Sequence, residues 1–357
     1  MKAKSSVKGM ITERRIDYTV IDKMYSEGAL YAKFGEYFRR SHGYKMFKVP
    51  VNTGFTCPNW DGRLSNRGCI YCPSFARQFS HESLRRVMNS DLRKQLYEQI
   101  EYHKETGAGE KFLVYAAFGT NTYKRISELR DIYDILLEHP DTIGLSIGTR
   151  PDCLPDEVLD LLAEYVNEGY EIWLEIGQQS FHYHTCELTN RQHGISEILS
   201  VIKKAHDRGI LINIFIILGL PYETPSEMIE TAKIISVIKA DSIKIYPLLV
   251  MENTKLSEYY KIGKYRPLSR IEYIGLVADF LEHLDPYILI QRISKDAGVE
   301  KKNAPGWNTH RFLVGPEVEK ALAIRGTKQG SKYKIGLDID ELIPLNSVKS
   351  NKIYSCP

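Results

Sequence analysis

The sequence predicts an α/β protein built on a partial (β/α)6 barrel of the TIM-like kind, with an extension at each end. Three observations lead there. Short β-branched runs recur along the chain, helix signals fill the gaps between them, and strand ends after the second lie about 30 residues apart, the length of one βαβ unit. Strands are expected near Lys45 to Val51, Lys111 to Phe118, Thr142 to Ile147, Ile172 to Ile176, Ile210 to Leu218 and Ser242 to Leu249. Between them, Ser90 suits the cap of a helix with Leu92, Leu96 and Ile100 on one face, and Ser127 the cap of another with Leu129, Ile132 and Leu136. Pro155 fits the first turn of the next, before Val158, Leu159, Leu162 and Val166. Thr224 to Glu227 reads as a capping box with Pro225 at the first helical position, and Ser269 to Glu272 as a second box opening the helix from Ile271 to Leu281. Repeated right-handed crossovers curl such a sheet and put ligand-binding loops at the strand C-termini.

The 357 residues, 43% hydrophobic and 26% charged, supply a conventional core and exclude disordered, collagenous and coiled-coil classes. No apolar run reaches about 18 residues, and Met1 to Lys8 is polar and lysine-bearing. No membrane span, no secretory signal and a cytoplasmic location are therefore expected. Six cysteines are too few for a disulfide scaffold at this length and are expected as ligands or ordinary residues in a reducing compartment.

The net charge of +3 is unevenly spread. Residues 1–48 carry eleven Lys/Arg against five Asp/Glu, and residues 295–334 carry nine against four, which leaves −8 for the rest. Basic ends around an acidic middle suit a polyanionic partner met through accessory elements, and equally suit solvated faces. The expected division is a basic extension at 1–44, the barrel at 45–294, a second basic extension at 295–334 covering the barrel mouth, and a tail at 335–357 without an assigned role.

About 60 residues separate Val51 from Lys111, twice the later spacing, so something is inserted after the first strand. That loop, residues 52–80, carries Cys57, Cys69 and Cys72. Three thiolates on one irregular loop hold a soft metal centre, and two readings compete. A structural zinc needs four ligands, with His81 as the available fourth. A 4Fe-4S cluster on three cysteines leaves one iron open to an exogenous ligand. The loop's position at the C-terminal end of the first strand, where barrel active sites are built, favours the second.

Tyr71, directly before the third cysteine, completes a pattern that resembles the radical S-adenosylmethionine (SAM) superfamily, which usually has three residues between its first two cysteines where this chain has eleven. Asn52-Thr-Gly-Phe-Thr-Cys57-Pro-Asn-Trp-Asp-Gly62 and Gly68-Cys69-Ile-Tyr-Cys72 are similar to the YhcC/YtqA (MnmL-like) group, a branch related to the Elongator catalytic subunit that tolerates a long first gap. Gly119-Thr-Asn-Thr-Tyr123, Ile147-Gly-Thr-Arg-Pro-Asp152, Leu174-Glu-Ile-Gly-Gln-Gln-Ser180, Asn190-Arg-Gln-His193, Leu218-Gly-Leu-Pro-Tyr-Glu-Thr224 and Lys244-Ile-Tyr-Pro-Leu248 resemble it in the same order, over roughly residues 28–333.

The resemblance implies a fold of the radical SAM type, with one 4Fe-4S cluster on Cys57, Cys69 and Cys72. It implies an oxidoreductase that cleaves SAM reductively and abstracts hydrogen from its substrate, with ferredoxin or flavodoxin as electron donor. Cofactor contacts are implied at Tyr71, at Gly119, Thr120 and Asn121 for the amino group, and at Glu175 and Gln178 for the ribose. Arg191 or Arg150 is expected at the carboxylate, because the guanidinium fork matches it, and Leu218 beside the adenine. Gln291 and Arg292 are the candidate substrate residues. The remaining Cys153, Cys186 and Cys356 have no short ligand spacing and argue against a second cluster, and His182, His184 and His193 around Cys186 read as solvated helix-face residues.

For substrate, the resemblance implies a modified wobble uridine of tRNA losing part of a carboxymethyl-derived side chain, with a downstream modification enzyme as a further partner. Tyr18, Tyr25, Tyr31, Trp307 and Phe312 in the basic zones suit base stacking as well as ordinary packing. The alternatives are a radical enzyme for a small metabolite or lipid precursor, and a non-catalytic zinc-dependent nucleic-acid-binding protein.

Overall fold

Nine strands and eleven α-helices alternate in the computed structural model, which describes residues 16–73, 91–294, 302–307 and 311–334. After α1 (Tyr18–Ser26) and α2 (Phe34–His42) come β1 (Met46–Val51), α3 (Leu92–Glu105), β2 (Lys111–Ala116), α4 (Ile126–Leu137), β3 (Thr142–Thr149), α5 (Asp156–Asn167) and β4 (Glu171–Gln179). Then follow α6 (Tyr183–Leu188), α7 (Ser196–His206), β5 (Leu211–Leu218), α8 (Pro225–Val237), β6 (Ser242–Pro247), β7 (Val250–Met251), α9 (Lys255–Lys261), α10 (Arg270–His283), β8 (Leu289–Arg292), β9 (Lys302–Ala304) and α11 (Arg311–Arg325). Seven strands make one parallel sheet in the order β1-β2-β3-β4-β5-β6-β8, and β7 pairs antiparallel with β9. This is the predicted curled half-barrel with a seventh strand added at its edge.

Residue alternation gives the curled sheet two distinct faces. Val49, Val114, Leu145, Ile147, Leu174, Ile214 and Ile245 point outward into one buried cluster with Leu96, Leu129, Leu159, Ile198, Ile235 and Val277 of the surrounding helices. Their neighbours point inward and form layers. The lowest layer, Leu113, Trp173, Leu211 and Leu289, is closed by α1 and α2: Phe34 meets Trp173 edge-on at 5.2 Å, and Phe38 lies behind it. The N-terminal mouth is thereby plugged, and ligand access is left to the C-terminal end, as in barrels generally.

Helix starts shift slightly from expectation. Ser90 lies outside the described residues, and Asp91 caps α3 through the Arg93 amide at 3.1 Å. Ser127 sits inside α4, which Arg125 precedes, and Pro155 is the residue before α5 rather than within it. Both predicted capping boxes form, at Thr224 with Glu227 and at Ser269 with Glu272.

Of the residues expected to cover the barrel mouth, β9 lies at that end, whereas α11 packs on α10 along the flank through Val314, Val318 and Leu322. Glu282, fully buried, holds this segment: its carboxylate accepts from Thr327 at 2.6 Å and Arg325 at 3.2 Å and pairs with Lys332. Replacing Glu282 with alanine is expected to cost about 2 kcal/mol, the scale of hydrogen bonds to a charged group. A urea midpoint equal to wild type would show that the contact does not fasten the C-terminal segment.

The aromatic residues of the basic zones pack. Tyr31 is buried, Tyr25 donates to the Pro286 carbonyl at 2.8 Å, Tyr18 lies on Tyr287, and Trp307 lies on Tyr273 while donating to the Leu268 carbonyl. The side chain of Phe312, residues 1–15 and the tail at 335–357 lie outside the described residues. No helix among the described residues is long and apolar enough to cross a membrane.

Candidate metal and cofactor site

The loop after β1 is tied down at its start. The buried Gln95 side chain of α3 accepts from the Asn52 amide at 3.1 Å and donates back to its carbonyl at 3.3 Å. Cys57 then opens a turn closed by the Trp60 amide at 2.8 Å, and Cys69 another closed by Cys72 at 2.9 Å. Gly68 has φ +65°, and a Cβ there would enter the Trp60 ring, so glycine is required before Cys69. All three cysteines are free; Cys69 is buried, Cys57 and Cys72 half-buried. His81 lies outside the described residues.

The segment after α6 clamps this loop. The Asn190 side chain donates to the Gly68 carbonyl at 2.7 Å, and the Ile70 amide to the Thr189 carbonyl at 3.1 Å. The Asn59 amide reaches the Asn190 carbonyl at 2.6 Å and the Cys69 sulfur at 3.4 Å. Arg191 lies under the same sulfur, donating at 3.2 Å, and also reaches the Tyr71 hydroxyl at 3.4 Å, the Gly177 carbonyl, and His193 at 2.9 Å. Burial and the neighbouring charges of Arg191 and Arg150 hold the His193 imidazole down to about 3, so it stays neutral and accepts. Asn59 gave no sequence signal beyond lying two residues after Cys57, and Asn190 and His193 entered only as the ends of a resembling motif; His193, expected on a solvated helix face, is instead buried in the irregular segment after α6 beside Arg191.

Arg150 approaches from the end of β3. It forms a fork with Asp152 at 2.8 and 2.9 Å and donates to the Arg191 carbonyl at 2.8 Å, so the two candidate arginines are coupled in one buried unit. Gly119 has φ +80°, and a Cβ there would strike the Phe55 carbonyl oxygen, which explains glycine where the loop after β2 passes the cysteine loop. Thr120 and Asn121 are buried. The Asn121 side chain accepts from Thr53 and donates to the Ala116 and Gly148 carbonyls at 3.0 and 2.9 Å, tying three strand ends together. Leu218 is buried at the end of β5. Gln178, fully buried, donates to the Ser180 carbonyl at 2.8 Å.

Glu175 lies apart from these, inside the half-barrel. Its carboxylate accepts from Lys48 at 2.5 Å, Ser146 at 2.6 Å, Lys244 at 2.7 Å and Asn213 at 2.8 Å. Gln291 is in the same layer, accepting from Lys48 at 2.8 Å and donating to Ser242 at 2.8 Å. Arg292, exposed, is opposite Lys244 in the ladder.

The other thiols are unlike ligands. Burial, reinforced by Asp152, pushes Cys153 up to about 12, and burial raises Cys186. His182 reaches the Glu227 carbonyl at 2.8 Å, and His184 approaches the Glu227 carboxylate at 3.5 Å. Among the described residues no three His, Cys, Asp or Glu side chains converge on a single ion. A cubane asks for no such convergence, because each thiolate binds a different iron.

A curled parallel sheet with three free cysteines on the loop after its first strand is the architecture of a radical SAM enzyme, and residues 62–235 match the model of the radical SAM superfamily while 240–323 match the radical SAM C-terminal domain. An uncharacterized protein of Methanocaldococcus jannaschii is 46% identical, over 89% of this chain and 97% of that one. YtqA of Bacillus subtilis, also uncharacterized, is 34% identical over 85% and 93%. The tRNA uridine(34) acetyltransferase of Dehalococcoides mccartyi is 24% identical over 75% and 65%. The archaeal Elp3 of Methanocaldococcus infernus superposes with a TM-score of 0.60 at 19% identity, over 80% of this chain and 64% of that one. The chain belongs to the radical SAM superfamily, in the group that includes YtqA.

Membership implies a 4Fe-4S cluster and SAM. The residues present fit both groups. Three free thiols share one loop, Asn59 and Arg191 supply hydrogen bonds to a ligand sulfur, and Arg191 Nε, Arg150 Nη1 and Gln178 Oε1 are buried polar atoms without a partner among the described residues. Such atoms are costly to leave unmade and mark where a polar ligand would complete the site.

Proposed function

We propose that this radical SAM enzyme holds its cluster on Cys57, Cys69 and Cys72 and acts on a modified wobble uridine of tRNA. When bound, the cluster and SAM supply reductive cleavage of the sulfonium and hydrogen abstraction from the substrate. The chain's own residues hold and orient. Asn59 and Arg191 donate to the Cys69 sulfur, which stabilises its thiolate and tunes the centre's potential. Arg191 and Arg150 each carry an unpartnered guanidinium nitrogen, but Arg150 is already forked on Asp152 while Arg191 has no carboxylate partner among the described residues, which supports Arg191 as the partner of the SAM carboxylate. Gly119, Thr120 and Asn121 offer backbone to the amino group and Gln178 an unpartnered acceptor to the ribose, whereas the Leu218 side chain, buried in the outward core with Ile214 and Ile216, leaves no surface for the adenine.

The observation that carries the substrate reading is the match, over 75% of this chain, with a relative named for uridine 34 of tRNA. It is tested by nucleoside mass spectrometry of tRNA from a deletion strain. The expected result is a lost or altered wobble-uridine modification together with salt-sensitive tRNA binding by the purified protein; an unchanged profile removes tRNA as the substrate.

A further inference from the structure

We propose that the interior of the half-barrel contains an anion-binding subsite for the substrate, in which Arg292 and Lys244 meet a carboxylate or phosphate and Glu175 acts as the positioning residue that aims Lys244. The proposal rests on the reading that substrate enters at the C-terminal end.

Accessibility is the first observation. The inward residues Tyr115, Phe215, Ile217, Tyr246 and Gln291 are half-exposed, whereas their outward neighbours Val114, Ile214, Ile216 and Ile245 are at most 1% exposed. The inner surface is therefore open above a closed floor, and its walls are largely aromatic. Charge is the second. Lys48, Lys244 and Arg292 gather around one carboxylate, Glu175, and Arg292 is among the charges that act on both lysines. The basic groups outnumber the one buried carboxylate, with Glu171 as a further negative charge acting on Lys48, so the interior keeps an excess of positive charge.

Donor accounting locates the vacancy. Lys48 spends its three protons on Ser146, Glu175 and Gln291. Lys244 has Glu175 as its one hydrogen-bond acceptor among the described residues, its ammonium otherwise lying 4.8 and 4.6 Å from the ring centres of Tyr115 and Phe215. Arg292 makes no hydrogen bond or ion pair among the described residues, and it is the ladder neighbour of Lys244. A guanidinium fork beside an ammonium over aromatic walls suits a planar ring carrying an anionic group. Burial, against the pull of Glu175, holds Lys244 down to about 7, as expected of a cation that lacks its full complement of negative partners.

The test uses anaerobically reconstituted full-length protein and equilibrium dialysis with four probes: 5-carboxymethyluridine, uridine 5′-monophosphate, uridine and S-adenosylhomocysteine. Wild type is expected to bind one of the two anionic nucleosides roughly 10- to 100-fold more tightly than uridine, the value of one or two charged hydrogen bonds. Which of them gains identifies the anion. Arg292→Gln, at an exposed position that does not threaten folding, is expected to erase that gain, and Arg292→Lys to retain part of it. No preference in wild type, no measurable binding of either anionic probe, or a preference untouched in both Arg292→Gln and Lys244→Gln overturns the proposal. An equal loss of S-adenosylhomocysteine affinity overturns it too, by assigning the anion to the cofactor. The deletion-strain profile is read separately. An altered profile without an anion preference removes the subsite and keeps the tRNA reading; an unaltered profile with an Arg292-dependent preference does the reverse.

Discussion

Replacing Cys69 with alanine is expected to abolish iron-sulfur reconstitution and SAM cleavage while leaving the half-barrel folded. Cys69 is the buried member of the trio and receives both sulfur hydrogen bonds, from Asn59 and Arg191. Without it two thiolates remain, fewer than a site-differentiated cubane requires. The structural cost is small, because Arg191 keeps the Gly177 carbonyl and His193, and Asn59 keeps the Asn190 carbonyl. Losing the weak sulfur contacts costs about 1 kcal/mol. The measurements are iron and sulfide content after anaerobic reconstitution, the yield of deoxyadenosine and methionine, and the melting temperature. Cys153→Ala, altering a thiol whose burial makes it a poor ligand, is expected to retain iron and cleavage. Cleavage surviving in Cys69→Ala would refute the ligand assignment, and a collapsed melting temperature would show the cysteine to be a packing residue instead.

The barrel was legible where side chains alternate in kind. Strands β1 to β6 announced themselves because their outward residues are Val, Ile and Leu facing helices whose own apolar faces repeat at helical spacing. β8 did not, because its four residues include Gln291 and Arg292, polar for the sake of the interior rather than the surface. The plug of α1 and α2 was equally hidden: Phe34, Tyr37 and Phe38 show no strand or helix partner in the local sequence, and the Trp173 they pack on lies over a hundred residues away. At the site, the three cysteines were legible from spacing and position. The Asn59, Asn190 and Arg191 clamp was less so, since hydrogen bonds between loops 120 residues or more apart leave no local periodicity. Glu175 shows the limit most clearly. A motif-borne glutamate at a strand end suggested a ribose contact, yet the curl of the sheet brings lysines from β1 and β6 to it from opposite sides.

That arrangement makes Glu175→Gln the substitution with the largest expected effect on stability. Glu175 is fully buried, and the amide would leave the ammonium groups of Lys48 and Lys244 facing each other without a countercharge. Removing one partner of a buried pair costs about 3–5 kcal/mol. The pH dependence identifies the cause. Burial pushes the Glu175 carboxyl up, but Lys244 and Lys48 outweigh it and hold it at about 2, below its ordinary 4.5. The wild-type contribution is therefore present above about pH 4.5 and lost as pH falls toward 2. On the alkaline side, a buried lysine held below its ordinary 10.5 penalises folding while the unfolded chain keeps the proton, and the penalty fades as pH rises toward that value. Without Glu175 the Lys244 ammonium is held lower still, so the variant recovers relative to wild type as pH rises. Urea denaturation at pH 5, 7 and 9 is expected to show the gap between wild type and variant widest at pH 5 and narrowing through about pH 7, where wild-type Lys244 itself loses its proton. A gap that stays constant across this range would mean that the loss comes from packing, not from two uncompensated cations.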